Sequence, residues 1–272
     1  MNVYSFPHEL GCALVNQPLI LETGRVKDGL RVLVTGGGSG IGAAIVAALR
    51  SAGANVFVCD MDPSTSPDHV ADISQALQVE EMFRAIERDL GGLDVLVNNV
   101  GIAGPAGLVD EIDPVDFDEV LRVNISGTFR VTARAVPLLR SADSGLIVNI
   151  ASTAGIFPYP YRSPYVAAKW AIVGLGRSWA MELGEDNIRV NVICPGSVGG
   201  PRMDQVIAKE AKAKGADEAT IRAGYETQVS MRRFMDAADV AGAVVYMASP
   251  AGRHVSGQVL SVDGATESLR SS

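Results

Sequence analysis

Short apolar runs alternate with one-sided amphipathic stretches along most of this chain, and that alternation predicts its elements. Arg31-Val-Leu-Val-Thr35 reads as a buried strand that breaks at Gly36. Ile41, Ala44, Ile45, Ala48 and Leu49 then follow the i, i+3, i+4 spacing of a helix with one apolar face. Asn55-Val-Phe-Val-Cys-Asp60 is a second strand, and the prolines of the turn-rich passage after it, Met61 to Pro67, forbid a central strand there. Val79, Met82, Phe83, Ile86 and Leu90 mark the inner face of a helix that starts near Ser74 and stops at Gly91-Gly92. Leu93 to Val97, Leu146 to Ala151, Ile188 to Cys194 and Gln258 to Val262 are further strands, with helices expected over about Ser163 to Leu183 and from a cap at Asp236.

Two stretches fit this scheme less well. From about Asp113 to Arg140 the pattern is a long helix in which Asn124 and Gly127 are misfits, each lowering helix stability by up to about 1 kcal/mol relative to Ala. Taken alone, Asn124 reads as a core amide paired with a neighbouring backbone group. Residues 199 to 233 are charged and helical but only weakly periodic, and read as a mobile lid. Strands alternating with helices throughout predict an α/β fold: a Rossmann-like, doubly wound, about seven-stranded parallel sheet with helices on both faces and a small helical substrate lid. Residues 1 to 24 form an N-terminal extension, and residues 25 to 272 are expected to be one domain.

Composition narrows the partners. With 23 basic and 31 acidic residues the net charge is −8, unlike the basic surface of a nucleic-acid binder or a polybasic membrane anchor, so small molecules are the expected partners. No apolar run approaches a membrane span, and the first residues lack the pattern of a signal peptide. Cys12, Cys59 and Cys194, like His8, His69 and His254, are scattered, which implies neither a disulfide framework nor a metal site and fits a reducing cytoplasm.

Chemistry enters through the glycines after the first strand. Gly36, Gly40 and Gly42 let the backbone turn sharply and bring its N–H groups to an anion at the positive end of the next helix. Asp60 ends the second strand 20 residues after Gly40, where a dinucleotide-binding unit places the acid that binds the adenosine ribose. A carboxylate accepts from both ribose hydroxyls of NAD and repels the 2′-phosphate of NADP, and neither Ser39 nor Met61 offers that phosphate a positive charge. NAD is therefore the expected cofactor. Tyr165 and Lys169, four residues apart, share one helix face, and an ammonium beside a phenol favours proton release from it. Ser152, 13 residues upstream of Tyr165, ends a strand just before that helix.

These motifs together resemble the short-chain dehydrogenase/reductase family across residues 28 to 264. Thr35-Gly-Gly-Gly-Ser-Gly-Ile-Gly42 is similar to its TGxxxGxG motif and Asn98-Asn-Val-Gly101 to its NNAG. Ser152, Tyr165 and Lys169 match its catalytic triplet, Asn124 its fourth catalytic position, and Pro195-Gly196 and Val262-Asp-Gly264 its later motifs. The resemblance implies that Tyr165 exchanges a proton with the substrate oxygen while hydride moves between substrate carbon and nicotinamide. It implies that Ser152 orients that oxygen, that Lys169 binds the nicotinamide ribose, and that Asn124 supports a water-linked proton relay to the lysine. Gly36, Ser39, Gly40, Ile41 and Gly42 would hold the pyrophosphate and Asp60 the ribose. Asp72 and Ile73 would flank the adenine, Asn98 and Gly101 would lie beside the cofactor, and Pro195, Gly196 and Val198 near the carboxamide. The chain departs from many relatives in lacking a Thr or Ser a few residues after Pro195-Gly196, so that either backbone groups hold the carboxamide or the lid closes differently. The family also suggests a homotetramer packed through the helices around 113 to 140 and 163 to 183.

Thr153, Phe157, Tyr159, Tyr161, Met203, Val206, Ile207 and Tyr225 are candidates for the substrate pocket wall. The expected reaction is NAD-linked oxidation of a secondary alcohol such as a polyol, sugar, cyclic alcohol or hydroxyacid. One alternative is a 3-oxoacyl-[acyl-carrier-protein] reductase, against which stand Asp60 and the acidic residues Asp143 and Asp186 at positions where such reductases present basic ones to their acidic carrier. A non-catalytic dinucleotide-binding protein is the remote alternative, since it has no need of Asn124, Ser152, Tyr165 and Lys169 together.

Overall fold

A computed structural model describes residues 25–267, and the expected extension over residues 1 to 24 lies outside the described residues. The strands are β1 (Arg31–Thr35), β2 (Asn55–Asp60), β3 (His69–Val70), β4 (Val95–Asn98), β5 (Gly145–Ile150), β6 (Ile188–Pro195) and β7 (Val259–Val262). They form one parallel sheet in the order β3-β2-β1-β4-β5-β6-β7. The helices are α1 (Gly40–Ser51), α2 (Ala76–Leu90), α3 (Pro114–Leu121), α4 (Thr128–Arg140), α5 (Ser163–Glu182), α6 (Pro201–Lys214), α7 (Glu218–Thr227) and α8 (Ala237–Ala248).

The two-residue period of the strands sorts the core into two layers. Val32, Val34, Val56, Val58, Val95, Val97 and Val148 face α1 and α8, while Leu33, Phe57, Cys59, Leu96, Ile147 and Val190 face α2, α4 and α5. Both faces are thus covered, which is why the strands read as continuous apolar runs. The chain winds outward in opposite directions from β1 and β4, so a crevice opens at the carboxyl ends of these neighbours.

The long helix expected from Asp113 to Arg140 is instead three pieces. Asp113 caps α3 by accepting from the Val115 N–H at 2.8 Å, and a π-helical turn over Arg122–Gly127 separates α3 from α4. Both misfit residues lie in that turn. A methyl at Gly127 would sit 2.9 Å from Ile73 Cγ1, so the small residue lets the turn close against Ile73 in the loop after β3. β3 was not expected either: two residues pairing with Cys59 and Asp60 show no period to read.

Residues 199 to 233 are helical, as expected, and hold two helices, α6 and α7. α6 ends at Gly215 with φ +64, and Asp217 caps α7 through the Thr220 N–H. Ile207, Ala211 and Ile221 form a separate small core between the two helices, with Met203, Tyr225 and Phe234 packed against it, and Arg222 pairs with Asp204 at 2.5 Å. Few apolar positions suffice for so small a core, so the charged surface hides the period.

Candidate active site

The glycine loop after β1 is held from below by β4. Asn99 donates its amide N–H to Thr35 Oγ1 at 3.1 Å and its side-chain Nδ2 to the Gly36 carbonyl at 2.8 Å. Gly36 adopts φ +64 and Gly40 φ +53. A methyl at Gly42 would fall 2.0 Å from the Gly36 oxygen, so only glycine lets the helix start this close to the loop. Ser39 is the N-cap of α1, extended and exposed, and its side chain caps nothing. The first-turn N–H groups of α1 are therefore left facing outward at its positive end, as a bound pyrophosphate requires. The cradle fits a dinucleotide.

Asp60 closes the far side. Its Oδ2 accepts from the Gly38 N–H at 2.9 Å and its Oδ1 from the Asp62 N–H at 3.1 Å, which fixes the carboxylate at the loop edge with lone pairs to spare. Arg50, the cation of α1 close to this edge, turns away to the Val56 carbonyl at 3.1 Å and to Asp68 at 3.6 Å. Beyond β3, Asp72 accepts from Ser74 through the latter's N–H and hydroxyl, and Arg122 of the π turn reaches both Ser74 and Asp72. Burial raises the Asp72 carboxyl, but the Ser74 and Gln75 donors and the Arg122 charge outweigh it and hold it below the usual range.

The second cluster forms where β4, β5 and α5 meet. Lys169 is buried, donates Nζ to the Ile150 carbonyl at 3.0 Å, and lies 5.6 Å from the centroid of the Tyr165 ring. A methyl at Gly101 would be 3.3 Å from Lys169 Nζ and 3.5 Å from Asn124 Oδ1, so these three residues share one small space. Asn124 is buried and grips the next loop residue twice: its Nδ2 donates to the Ile102 carbonyl at 2.9 Å and its Oδ1 accepts from the Ile102 N–H at 2.8 Å. Ser152 starts a 3-10 turn over Thr153–Gly155 by accepting at Oγ from the Ala154 N–H at 3.2 Å. Its own hydroxyl hydrogen is left free to donate.

A family model described as "Enoyl-(Acyl carrier protein) reductase" matches residues 36–266. The chain belongs to the short-chain dehydrogenase/reductase family. A D-beta-hydroxybutyrate dehydrogenase of Cupriavidus necator is 34% identical over 87% of this chain and 97% of its own length. The 3-oxoacyl-[acyl-carrier-protein] reductase of Thermotoga maritima is 32% identical over 87% of this chain and 97% of its own. Among solved structures, an NAD+-bound xylitol dehydrogenase superposes with TM-score 0.81 at 29% identity, covering 87% of this chain and 98% of that one. An actinorhodin polyketide ketoreductase with NADPH superposes with TM-score 0.80 at 29% identity, covering 87% and 96%. Members of this family are oxidoreductases of hydroxyl and keto groups that bind a nicotinamide dinucleotide.

The other expected site residues of this short-chain dehydrogenase/reductase lie in varied surroundings. The Asn98 side chain is buried and donates to Thr132 Oγ1 and Asn149 Oδ1, both at 2.9 Å, so it ties β4 to α4 and β5 at the end of β4. Ile207 is wholly buried in the core of α6 and α7, Met203 packs on that core, Thr153 is buried, and Tyr161 is half-exposed. Ile207 is therefore packing and Tyr161 a surface residue, while Phe157 and Tyr159 remain half-buried in the connector before α5. Asn99 holds the glycine loop yet was passed over, since its amide sits among residues equally able to fill a turn. Pro195 ends β6 opposite Val262, and a methyl at Gly196 would meet the Asp263 backbone at 2.9 Å. Val198 forms a parallel bridge with Met235 through the flanking groups Ser197 O and Gly199 N–H, which leaves its own N–H and carbonyl on the opposite edge.

Proposed function

We propose that this chain is an NAD-dependent oxidoreductase that interconverts a secondary alcohol and its ketone, with Tyr165 as the acid/base. The observation that carries this reading is the position of Lys169, buried against Ile150, beside the Tyr165 ring and next to Asn124. Tyr165 takes the proton of the substrate hydroxyl in oxidation and returns it in reduction. Ser152, its oxygen already accepting from Ala154, donates its free hydrogen to the substrate oxygen and orients it. Lys169 retains donors for the nicotinamide ribose after bonding Ile150. Asn124, locked by Ile102, keeps the π turn in place for a water-linked relay to Lys169. The bound nicotinamide supplies the hydride acceptor in oxidation and the donor in reduction.

The loop from Gly36 to Gly42 would hold the pyrophosphate, Asp60 the adenosine ribose, and the free N–H and carbonyl of Val198 the carboxamide, in place of the missing Thr or Ser. Asp72, Ile73, Gly101, Pro195 and Gly196 would line the remainder of the cofactor. Asp60 supports NAD over NADP, because a 2′-phosphate would lie against its carboxylate while Arg50 is engaged elsewhere. Polyols, sugars, cyclic alcohols and hydroxyacids are the substrate class. The exposed Phe129, Trp170 and Met181 on α4 and α5 support association into a homotetramer. Among the described residues no helix is long and apolar enough to cross a membrane, and Cys59 and Cys194 are buried free thiols, which supports a cytoplasmic enzyme.

The likeness to the Thermotoga maritima reductase favours acyl-carrier-protein chemistry as a second reading. Asp60 weighs against it. Asp143 and Asp186 weigh less than their charge suggests, because Lys27 and Arg140 pair with them at 3.2 and 2.7 Å. Following NADH formation with NAD and a panel of alcohols, polyols and hydroxyacids, against NADPH consumption with an acyl-carrier thioester, separates the two. Turnover only with the thioester and NADPH would leave the first reading without support.

A further inference from the structure

The lid is joined to the loop in front of α5 by three polar side chains. Tyr225, half-buried on α7, donates its hydroxyl to Glu210 Oε2 on α6 at 2.7 Å, and the Tyr159 hydroxyl lies 3.4 Å from the Tyr225 oxygen. A phenol has one hydrogen. Since that of Tyr225 goes to the Glu210 carboxylate, its oxygen can only accept from Tyr159, and the chain runs from Tyr159 through Tyr225 to Glu210. Burial, then the neighbouring Tyr159 and the Glu210 carboxylate, push the Tyr225 phenol above the ordinary tyrosine range, so it stays a protonated donor and the direction is fixed.

Tyr159 lies between the Ser152 turn and Tyr165 in the chain, in the connector leading into α5. With its hydrogen directed at Tyr225, it meets a substrate as an acceptor. An acceptor with no hydrogen to give welcomes a hydroxyl and has nothing to donate to a carboxylate.

We propose that Tyr159, oriented by Tyr225 and Glu210 as positioning residues, accepts a hydrogen bond from a hydroxyl remote from the reacting carbon, so that the substrate is an uncharged diol, polyol or sugar and not a hydroxyacid. This rests on the alcohol-oxidising reading above and narrows it.

A pair of substrates matched in size tests it: butane-1,3-diol, whose C1 hydroxyl stands where the other carries its carboxylate, and 3-hydroxybutanoate, each with NAD, on the wild-type chain and on Tyr159→Phe, Tyr225→Phe and Glu210→Gln. The wild type should favour the diol in kcat/KM by about tenfold or more, the scale of one well-placed hydrogen bond. Tyr225→Phe frees the Tyr159 hydrogen, and the preference should fall by about tenfold through the KM for the diol, with the KM for NAD unchanged. Glu210→Gln keeps an acceptor for Tyr225, so it should hold both the diol KM and the preference near their wild-type values. The rise in Tm that the diol produces in the NADH-bound protein should follow the same order, which reads binding without turnover. A wild-type preference for the hydroxyacid, or a ratio unmoved in both Tyr225→Phe and Tyr159→Phe, overturns the proposal while leaving the alcohol-oxidising reading intact. Absence of NAD-linked turnover with every alcohol removes that reading and this one with it.

Discussion

Asn124 and Ile102 exchange two hydrogen bonds, side-chain amide to backbone carbonyl at 2.9 Å and backbone N–H to side-chain oxygen at 2.8 Å. The pair fastens the π turn to the loop after β4, next to Lys169. Asn124→Ala would leave both Ile102 groups without their partner, at a cost of about 1–3 kcal/mol in stability. Urea denaturation should show that loss, and kcat should fall further than the residual folded fraction accounts for. Stability within experimental error of wild type would mean that the turn does not depend on this pair.

Asp60 stands at the edge of the glycine loop, where its charge would choose the dinucleotide. Asp60→Ala should weaken NAD binding and narrow the preference for NAD over NADP by about ten- to a hundredfold, which corresponds to about 1.4–3 kcal/mol. Fluorescence titration with NADH and NADPH reads both affinities. Unchanged affinity for each would remove Asp60 from the ribose site.

Much of this site can be read from the chain because chemistry and period coincide there. Thr35 to Gly42 and Asp60 stand at strand ends that the apolar runs already locate, and the Tyr165 to Lys169 spacing is meaningful once α5 is recognised. The Asn124 amide illustrates both halves of the problem. Its reading as a core amide paired with backbone describes its contacts well, and the misfit of Asn124 and Gly127 marks where the helix departs from regularity. The π turn itself cannot be read, because it depends on Ile102 and Ile73, which are remote in sequence. Ile207 shows a similar limit: an apolar pattern assigns a residue to an element, while the direction of its side chain follows from packing. The lid reads as helical, but its charge hides the small core of Ile207, Ala211 and Ile221 between its two helices, and the link from Tyr159 through Tyr225 to Glu210 spans three separate segments.

At the opposite end of β1, Arg31 and Asp94 form a pair at 2.7 Å, and Asp94 also accepts from the Arg31 backbone N–H. Burial raises the Asp94 carboxyl, but the Arg31 guanidinium and N–H outweigh it and hold the group below its usual range. A depressed folded-state pKa contributes stability that is complete above the unfolded value, about 3.9, and is lost as pH falls through the folded value. Asp94→Asn should therefore cost about 1–3 kcal/mol at pH 7, and the gap to wild type should close below about pH 4. Denaturation midpoints across pH 3 to about 8 test this; a gap independent of pH would assign the effect to packing.

Cys59 and Cys194 are both buried, and burial pushes their thiols up to about 12 and about 11. Neither should react with iodoacetamide in the native protein at about pH 8, where an ordinary thiol reacts readily, and both should react after denaturation. Peptide mapping by mass spectrometry distinguishes each site. Native labelling of Cys194 would show that the segment beside Ser152 opens.

Tyr165→Phe tests the central claim most directly, by NADH absorbance with the best alcohol found and by NADH fluorescence on binding. The phenyl ring preserves packing beside Lys169 and removes the proton-carrying oxygen. Turnover should fall by about a thousandfold or more, within the range of general acid–base catalysis, while NADH affinity stays within about threefold of wild type. Near-normal turnover in this variant would contradict the assignment of Tyr165 as the acid/base.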